Sequence, residues 1–180
     1  MQMKKKLTAV AVGILMCSNA AFAQSERPNV ARINPLGALV GLGSLSYERA
    51  ITNKSSFVIS PTFGFFKSGG DRLSLLGAAV EYRYYFTGLA PEGTYVAPGI
   101  GGIFGTIKNE FDERADVRGL TSKLVIGHQW IWKGGFSLDL NGGISYINLK
   151  AKEGSSSSFD NSDALSGILP ALSVGIGYNF

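Results

Sequence analysis

The sequence predicts an all-β protein, an up-and-down antiparallel barrel of about eight strands that crosses a membrane. Three observations support this fold class. Apolar and small or polar residues alternate along most of the chain, an export signal opens it, and aromatic residues gather beside the short turns. A soluble β-sandwich is the alternative, but it predicts scattered aromatic residues and has no reason to mark one end of its strands.

Residues 1–23 have the features of a secretory signal peptide. Three lysines at 4–6 precede an apolar run, and Ala21 and Ala23 form a small-x-small cleavage site that leaves Gln24 as the mature amino terminus. The apolar run is shorter than the roughly 20 residues that a membrane-spanning helix needs. We therefore expect two segments, a signal peptide at 1–23 and an outer-membrane β-barrel domain at 24–180.

Charge and cysteine content exclude several classes of protein. The chain has 17 Lys and Arg against 13 Asp and Glu, and three of the basic residues belong to the signal peptide. The mature chain is then close to neutral, which argues against nucleic acid as a partner. The only cysteine, Cys17, also lies in the signal, so the mature chain has no disulfide and no thiolate. Lipid attachment at Cys17 is the alternative, but Met16 occupies a position where a small residue is preferred.

Alternation with a period of two marks seven clear strands and one weaker strand. The clear strands are predicted at 38–50, 56–65, 76–86, 96–104, 120–132, 136–146 and 167–180. Single-chain bacterial barrels of this kind have an even number of strands, and residues 29–36 supply the weaker eighth. Glycines at 41 and 43 predict a bulge or bend in the second strand. Pro61, Pro98 and Pro170 predict bulges or early strand ends, because proline lacks a backbone donor.

The connections and the aromatic residues indicate which strand ends lie together. Short turns are predicted at 88–93 and 133–135, and longer polar loops at 108–118 and 150–163. Outer-membrane barrels have short periplasmic turns and longer external loops. The aromatics beside the short turns, which predict a girdle at one membrane interface, are Tyr47, Tyr84, Phe86, Trp130, Trp132, Tyr178 and Phe180.

The end of the chain carries the most specific resemblance. Residues 177–180 read Gly-Tyr-Asn-Phe, and residues 47–50 read Tyr-Glu-Arg-Ala. With these features, the chain resembles the small eight-stranded outer-membrane barrels of the OmpA, OmpX and OmpW type. It looks most like an uncharacterised family of short outer-membrane barrels. The resemblance implies the outer membrane of a Gram-negative-type bacterium, contact with outer-membrane lipid and lipopolysaccharide, and recognition of the carboxyl-terminal strand by the assembly machinery.

Charged residues on the faces away from lipid decide what the interior can do. An eight-stranded barrel is about wide enough to be filled by its own side chains, and buried charges are costly unless they are paired. We therefore predict an internal ionic network that rigidifies the barrel, formed by Glu48, Glu81, Arg83, Lys123 and Asp139. A polar lumen that passes water or small ions, or that binds a small ligand, is the alternative.

The sequence predicts no enzyme and no cofactor. Barrel enzymes that act on lipid A or phospholipid use a nucleophile or an activated water with a nearby base, usually histidine. His128, the only histidine, shares its strand face with Trp130 and Trp132 and lacks the deacylase-like His-x-Ser pattern. The glycines at 99–105 lack phosphate-loop spacing, and no cluster has metal-ligand spacing. A lipid-modifying enzyme and a small-ligand-binding barrel remain the alternative functions.

Overall fold

The computed structural model describes residues 27–39, 41–68, 71–108, 114–153 and 164–180. The predicted signal peptide, with Cys17 and the cleavage residues Ala21, Ala23 and Gln24, lies outside the described residues. So do the central parts of both predicted long loops. Among the described residues, no helix combines the length and the apolar content needed to cross a membrane.

The chain forms a closed antiparallel barrel in which each strand pairs with the next and the last pairs with the first. The strands are β1 (Asn29–Ile33), β2 (Leu42–Thr52), β3 (Ser55–Ser68), β4 (Asp71–Tyr85), β5 (Gly93–Lys108), β6 (Arg114–Ile131), β7 (Phe136–Glu153) and β8 (Ala164–Asn179). A five-residue helix, α1 (Pro35–Leu39), connects β1 to β2. The predicted all-β, eight-stranded up-and-down barrel is confirmed.

The weak first strand closes the barrel. Val30 faces Glu48 of β2 on one side and Asn179 of β8 on the other. The backbone of Asn29 also exchanges two hydrogen bonds with Phe180, at 2.9 and 3.1 Å. The strand predicted at 29–36 is therefore confirmed, although it ends at Ile33.

The segment after β1 differs from the prediction. Residues 38–50 were expected to be one strand with a bulge, but α1 occupies the beginning of that range and β2 starts at Leu42. Pro35 is the first residue of α1, a position that suits its fixed φ angle and missing donor. Gly41 follows the helix with φ +76°, a left-handed conformation that favours glycine. The irregular alternation at 38–41 thus reflects the end of a helix and the glycine that follows it.

The three strand prolines interrupt single ladders without ending their strands. Pro61 lies where the β2–β3 pairing has a gap, and Pro98 where the β4–β5 pairing has one. Pro170 stays paired with Ile144 of β7, and the β1 side of β8 is paired only from Ile176 onward. The predicted bulges and early strand ends were wrong here. Each proline sits where one neighbouring ladder is open, so its missing donor costs little.

The strands near the long loops extend further than alternation predicted. The β5–β6 ladder continues to the pair Lys108–Arg114, and the β6–β7 ladder continues to Ala115–Glu153. Residues 114–118 therefore belong to β6 and not to a loop. Charged side chains conceal this extension in the sequence, because the ladder hydrogen bonds use backbone groups and persist beyond the apolar part of each strand.

All short turns of the second half of the chain lie at one end of the barrel, beside Asn29 and Phe180. Large apolar side chains point outward between this end and the loop end, on nearly every strand. Leu120 is 73% exposed and Leu172 is 77% exposed. At the short-turn end the inward side chains are buried, and they combine charged and polar residues with valines and the two tyrosines Tyr85 and Tyr95.

Candidate functional site

A buried ionic network fills the barrel at its short-turn end. The five residues predicted to line the lumen all point inward, on β2, β4, β6 and β7. Glu48 is 0% exposed, Asp139 2% and Arg83 3%. They lie on different strands, but antiparallel pairing places them at similar heights in a barrel too narrow for them to avoid one another.

Arg83 is the centre of the network. Its Nη1 lies 2.7 Å from Asp139 Oδ2 and 3.2 Å from Glu48 Oε2. Its Nη2 lies 3.8 Å from Glu81 Oε2, so one guanidinium contacts three carboxylates, which lie on β2, β4 and β7. The guanidinium carbon also lies 4.2 Å from the ring centroid of Tyr95, in cation–π geometry. A planar cation with several donors suits this convergence better than a lysine would.

Glu48 is held by four donors. Arg32 Nη1 lies 2.5 Å from its Oε2, which Arg83 also reaches. Ser56 Oγ and Tyr85 Oη donate to its Oε1 at 2.5 and 2.6 Å. Both carboxylate oxygens are thus satisfied in a site with no access to solvent, which is the condition under which a buried carboxylate is tolerated.

Asp139 has a second set of partners. Tyr95 Oη donates to its Oδ2 at 2.8 Å, and Asn141 Nδ2 donates to its Oδ1 at 2.8 Å. The Tyr95 ring packs against Tyr85 with centroids 5.2 Å apart. The two tyrosines therefore connect the carboxylates of β2 and β7 through hydroxyl donors while their rings fill space between the strands.

The turn between β4 and β5 closes this end of the barrel. Gln129 Nε2 donates to the backbone oxygen of Pro91 at 2.6 Å, while Gln129 Oε1 accepts hydrogen bonds from Arg32 and, at 3.1 Å, from Arg83. Ala90, in the same turn, is 3% exposed and belongs to an apolar cluster with Tyr85 and Tyr95. The turn thus caps the opening, and a glutamine joins it to the network.

Lys123 and Glu81 form a separate pair nearer the loop end. Lys123 Nζ lies 2.8 Å from Glu81 Oε1, and the lysine side chain is 30% exposed. The pair is connected to the rest only by the longer 3.8 Å contact between Glu81 and Arg83. It is therefore the most solvated part of the network and the least coupled to its centre.

Sequence reasoning missed several members of the network. Arg32 was not singled out, because the five-residue strand around it shows alternation too short to assign a face. Gln129 and Tyr95 point inward on strands whose faces had been assigned mainly from their apolar outward residues. Tyr85 was recognisable, since it shares the face of Glu81 and Arg83. If every residue on the inward-facing side of each strand had been considered, all four residues would have been found.

Above the network the lumen widens into a cavity whose wall is partly polar and partly apolar. A cavity of about 310 Å³ lies over Arg32, Arg83 and Asp139. Hydroxyl and amide side chains dominate the polar part of its wall, and they include Ser44, Ser60, Thr62, Thr121, Asn141 and Ser173. Three basic and three acidic side chains of the network balance one another, so the cavity floor has no net charge. This arrangement can hold water or a small polar solute.

The other residues predicted from the sequence lie on the outer surface. His128 Nδ1 is 2.7 Å from Thr94 Oγ1, and its ring packs against Trp130 with centroids 4.4 Å apart. These contacts place the histidine outside the lumen. The aromatics of the short-turn end are also exposed and point outward: Tyr47, Tyr84, Phe86, Trp130, Trp132, Tyr178 and Phe180.

Within the described ranges, His, Cys, Asp and Glu side chains nowhere form a group of three or more that could hold a metal ion.

Comparisons with protein-family models, with curated proteins and with solved structures find no match to this chain. The small-barrel architecture is thus established by the structure, whereas the resemblance to the OmpA, OmpX and OmpW type remains an expectation from the sequence.

Proposed function

We propose that this protein is a non-enzymatic, integral outer-membrane barrel with a structural or surface-contact role and a lumen closed by its ionic network. The observation that carries the proposal is the apolar outer surface of a closed barrel. Soluble monomers rarely expose a continuous apolar surface of this extent, whereas a barrel in lipid requires one. Closure also pairs most of the backbone groups that lipid could not satisfy, and among the described strands the longest stretch without a ladder partner on one side is the part of β8 before Ile176.

The height of the apolar surface fits a bilayer. Over the ten residue steps from Leu76 to Phe86, every outward side chain of β4 and of the residue after it is apolar or aromatic. At about 3.3 Å per residue this is ~33 Å along the strand, and a tilt of about 40° reduces it to about 25 Å. That height matches the apolar band of outer-membrane barrels, which is also about 25 Å.

The aromatic residues support an orientation in the membrane. Aromatic side chains concentrate at the short-turn end, on the outer surface, as they do at membrane interfaces. Short turns are periplasmic in outer-membrane barrels, so we assign this end to the periplasm. The carboxyl-terminal Phe180 and Tyr178 are at the same end, where assembly machinery acting from the periplasm would reach them.

The network supports a closed barrel rather than a pore. A conducting path would have to pass Arg83, Glu48 and Asp139, which contact one another directly, and then the turn that carries Ala90 and Pro91. Opening that path would separate buried opposite charges, at a cost of several kcal/mol. Structural support of the envelope or contact through the external loops needs no such opening.

The cavity above the network favours a second candidate function. It measures about 310 Å³, carries hydroxyl and amide groups on part of its wall, and lies on the loop side of the closure. A small polar solute could bind there from outside without crossing the membrane. A lipid-modifying enzyme has less support, because His128 lies on the outer surface and forms no contact with a carboxylate among the described residues.

Four measurements test the proposal. The full-length protein should fractionate with the outer membrane and migrate differently in gels before and after heating, as folded barrels do. The refolded protein in a planar bilayer should show no stepwise conductance, and deletion of the gene should leave the mass spectra of lipid A and phospholipids unchanged. Recovery from the soluble periplasm would contradict membrane insertion, stable conductance would contradict the closed lumen, and an altered lipid spectrum would indicate an enzyme.

A further inference from the structure

A concave groove runs along the outer surface of the barrel over β4, β5, β6 and β7, and it is separate from the lumen site. Its volume is about 1110 Å³, and its lining is largely apolar. Ile100, Phe104 and Leu120 border it, and Tyr146 forms its β7 side. A strand surface covered evenly with large side chains would have no such depression.

Small residues create the depression. Ala78 of β4 faces Gly102 of β5, and Ile100 of β5 faces Ser122 of β6. A Cβ atom built at Gly102 would meet no heavy atom closer than 3.8 Å, so a side chain added at this glycine would make ordinary van der Waals contacts without a clash. The small residues Ala78, Gly102 and Ser122 thus form the floor of the groove between larger apolar side chains, and we call this floor the apolar bed. Its shape can accommodate flexible hydrocarbon chains.

Two basic side chains stand at the loop end of the groove. Arg118 and Lys150 face each other across β6 and β7, point outward and are exposed. Directly opposed residues have Cα atoms about 5 Å apart, so both cations can reach one anionic group. Arg118 is two residues above Leu120, about 7 Å along the strand, at the edge of the apolar surface.

One acidic residue belongs to the same region. Asp116 lines the groove and accepts a hydrogen bond from Thr106 Oγ1 at 3.3 Å. Its carboxylate lies one outward position beyond Arg118 along β6. Among the side chains that the structure describes, the loop end of the groove carries two positive charges and one negative charge, and the positive pair adjoins the apolar bed.

We propose that this groove binds a phosphorylated glycolipid of the lipid A class, with its acyl chains on the apolar bed and a phosphate on Arg118 and Lys150. Guanidinium and ammonium groups form short, charge-assisted hydrogen bonds with phosphate oxygens. The groove is large enough for more than one acyl chain, which both lipid A and diacyl phospholipids have, so the leaflet that the loop end faces favours lipid A. The inference rests on the proposed function, because the loop end faces the outer leaflet, where lipid A resides, only in that orientation.

Purified lipid A in mixed detergent micelles is the probe, and native mass spectrometry of the refolded mature protein is the readout. The wild-type barrel should retain one lipid A. The variant R118S/K150S should retain it about tenfold less strongly or worse, since two charge-assisted hydrogen bonds are lost. G102L should also weaken retention, because leucine fills the bed, at a position where a Cβ has room. R72S removes an exposed, outward basic residue of β4 outside the groove and should bind as the wild type does.

The possible outcomes separate the site from the membrane assignment. Equal retention by the wild type and R118S/K150S would overturn the proposal, as would equal retention of phosphatidylglycerol, which would mean that the site reads any anionic lipid. A dimer in place of the lipid adduct would assign the groove to a second copy of the chain. Heat-modified migration shows that each variant is folded. A folded wild-type barrel that fractionates with the outer membrane but retains no lipid A would refute this inference alone, whereas loss of outer-membrane fractionation would refute the proposed function.

Discussion

Replacing Arg83 with methionine should destabilise the barrel strongly, because this residue connects the buried carboxylates. Methionine fills a similar volume but donates no hydrogen bond. The variant would remove the contacts at 2.7 Å to Asp139, 3.2 Å to Glu48 and 3.1 Å to Gln129. Glu48 would keep Arg32, whereas Asp139 would keep only neutral donors among its described partners.

The expected cost follows from that uncompensated carboxylate. Removing one partner of a buried ion pair typically costs about 3–5 kcal/mol, and loss of the contact between the guanidinium and Tyr95 adds about 0.5–2 kcal/mol. Tyr95 and Asn141 still donate to Asp139, which limits the loss. We therefore expect the free energy of unfolding of R83M to fall by about 3–5 kcal/mol.

Lys123→Met is the matched control. It also exchanges an inward basic residue for methionine, but Lys123 contacts only Glu81 in the network and its side chain is 30% exposed. The Glu81 side chain is only 6% exposed, but it keeps the 3.8 Å contact with Arg83, so K123M should cost about 1–3 kcal/mol, less than R83M. Urea unfolding of both variants in detergent micelles can be followed by the fluorescence of Trp130 and Trp132 and by heat-modified gel migration.

The reasoning would be refuted if R83M lost no more stability than K123M. Such a result would mean that the carboxylates of Glu48 and Asp139 find other compensation, for instance by protonation. The double variant R83M/D139N provides a further check, because removing both partners should cost less than the sum of the single changes. Conductance in planar bilayers should stay absent in R83M while the turn still caps the barrel end.

Two further predictions concern packing and assembly. A Cβ at Gly127 would lie 2.6 Å from Tyr95 Oη, so G127A should destabilise the barrel by about 1–3 kcal/mol in urea unfolding. G167A, where nothing lies within 4 Å of the added atom, should stay within about 0.5 kcal/mol of the wild type, and equal losses in both would contradict the packing argument. Replacing Tyr178 and Phe180 with serine should reduce the amount of protein recovered in the outer membrane, and normal recovery of that double variant would show that these aromatics do not direct assembly.

Alternation along the chain was enough to determine the fold class, because a strand with two unlike environments must alternate its side chains. It failed where that cause is absent. Residues 114–118 include three charged residues, which predict a loop, yet they are part of β6. The reason is that backbone hydrogen bonds between strands do not depend on the polarity of the side chains. The strand predicted from residue 38 instead begins at Leu42, because a short helix starts at Pro35 and Gly41 follows its end.

For the site, the sequence by itself determined which charged residues point inward, since parity carries through each strand. Only the tertiary structure decided their partners. Glu48 and Asp139 are far apart in sequence, and both meet Arg83 because barrel closure and strand register bring three strands together within hydrogen-bonding distance. Register across eight strands is a collective property of the closed sheet, and the contribution of Arg32 depends on a short strand whose position is set by its neighbours β2 and β8.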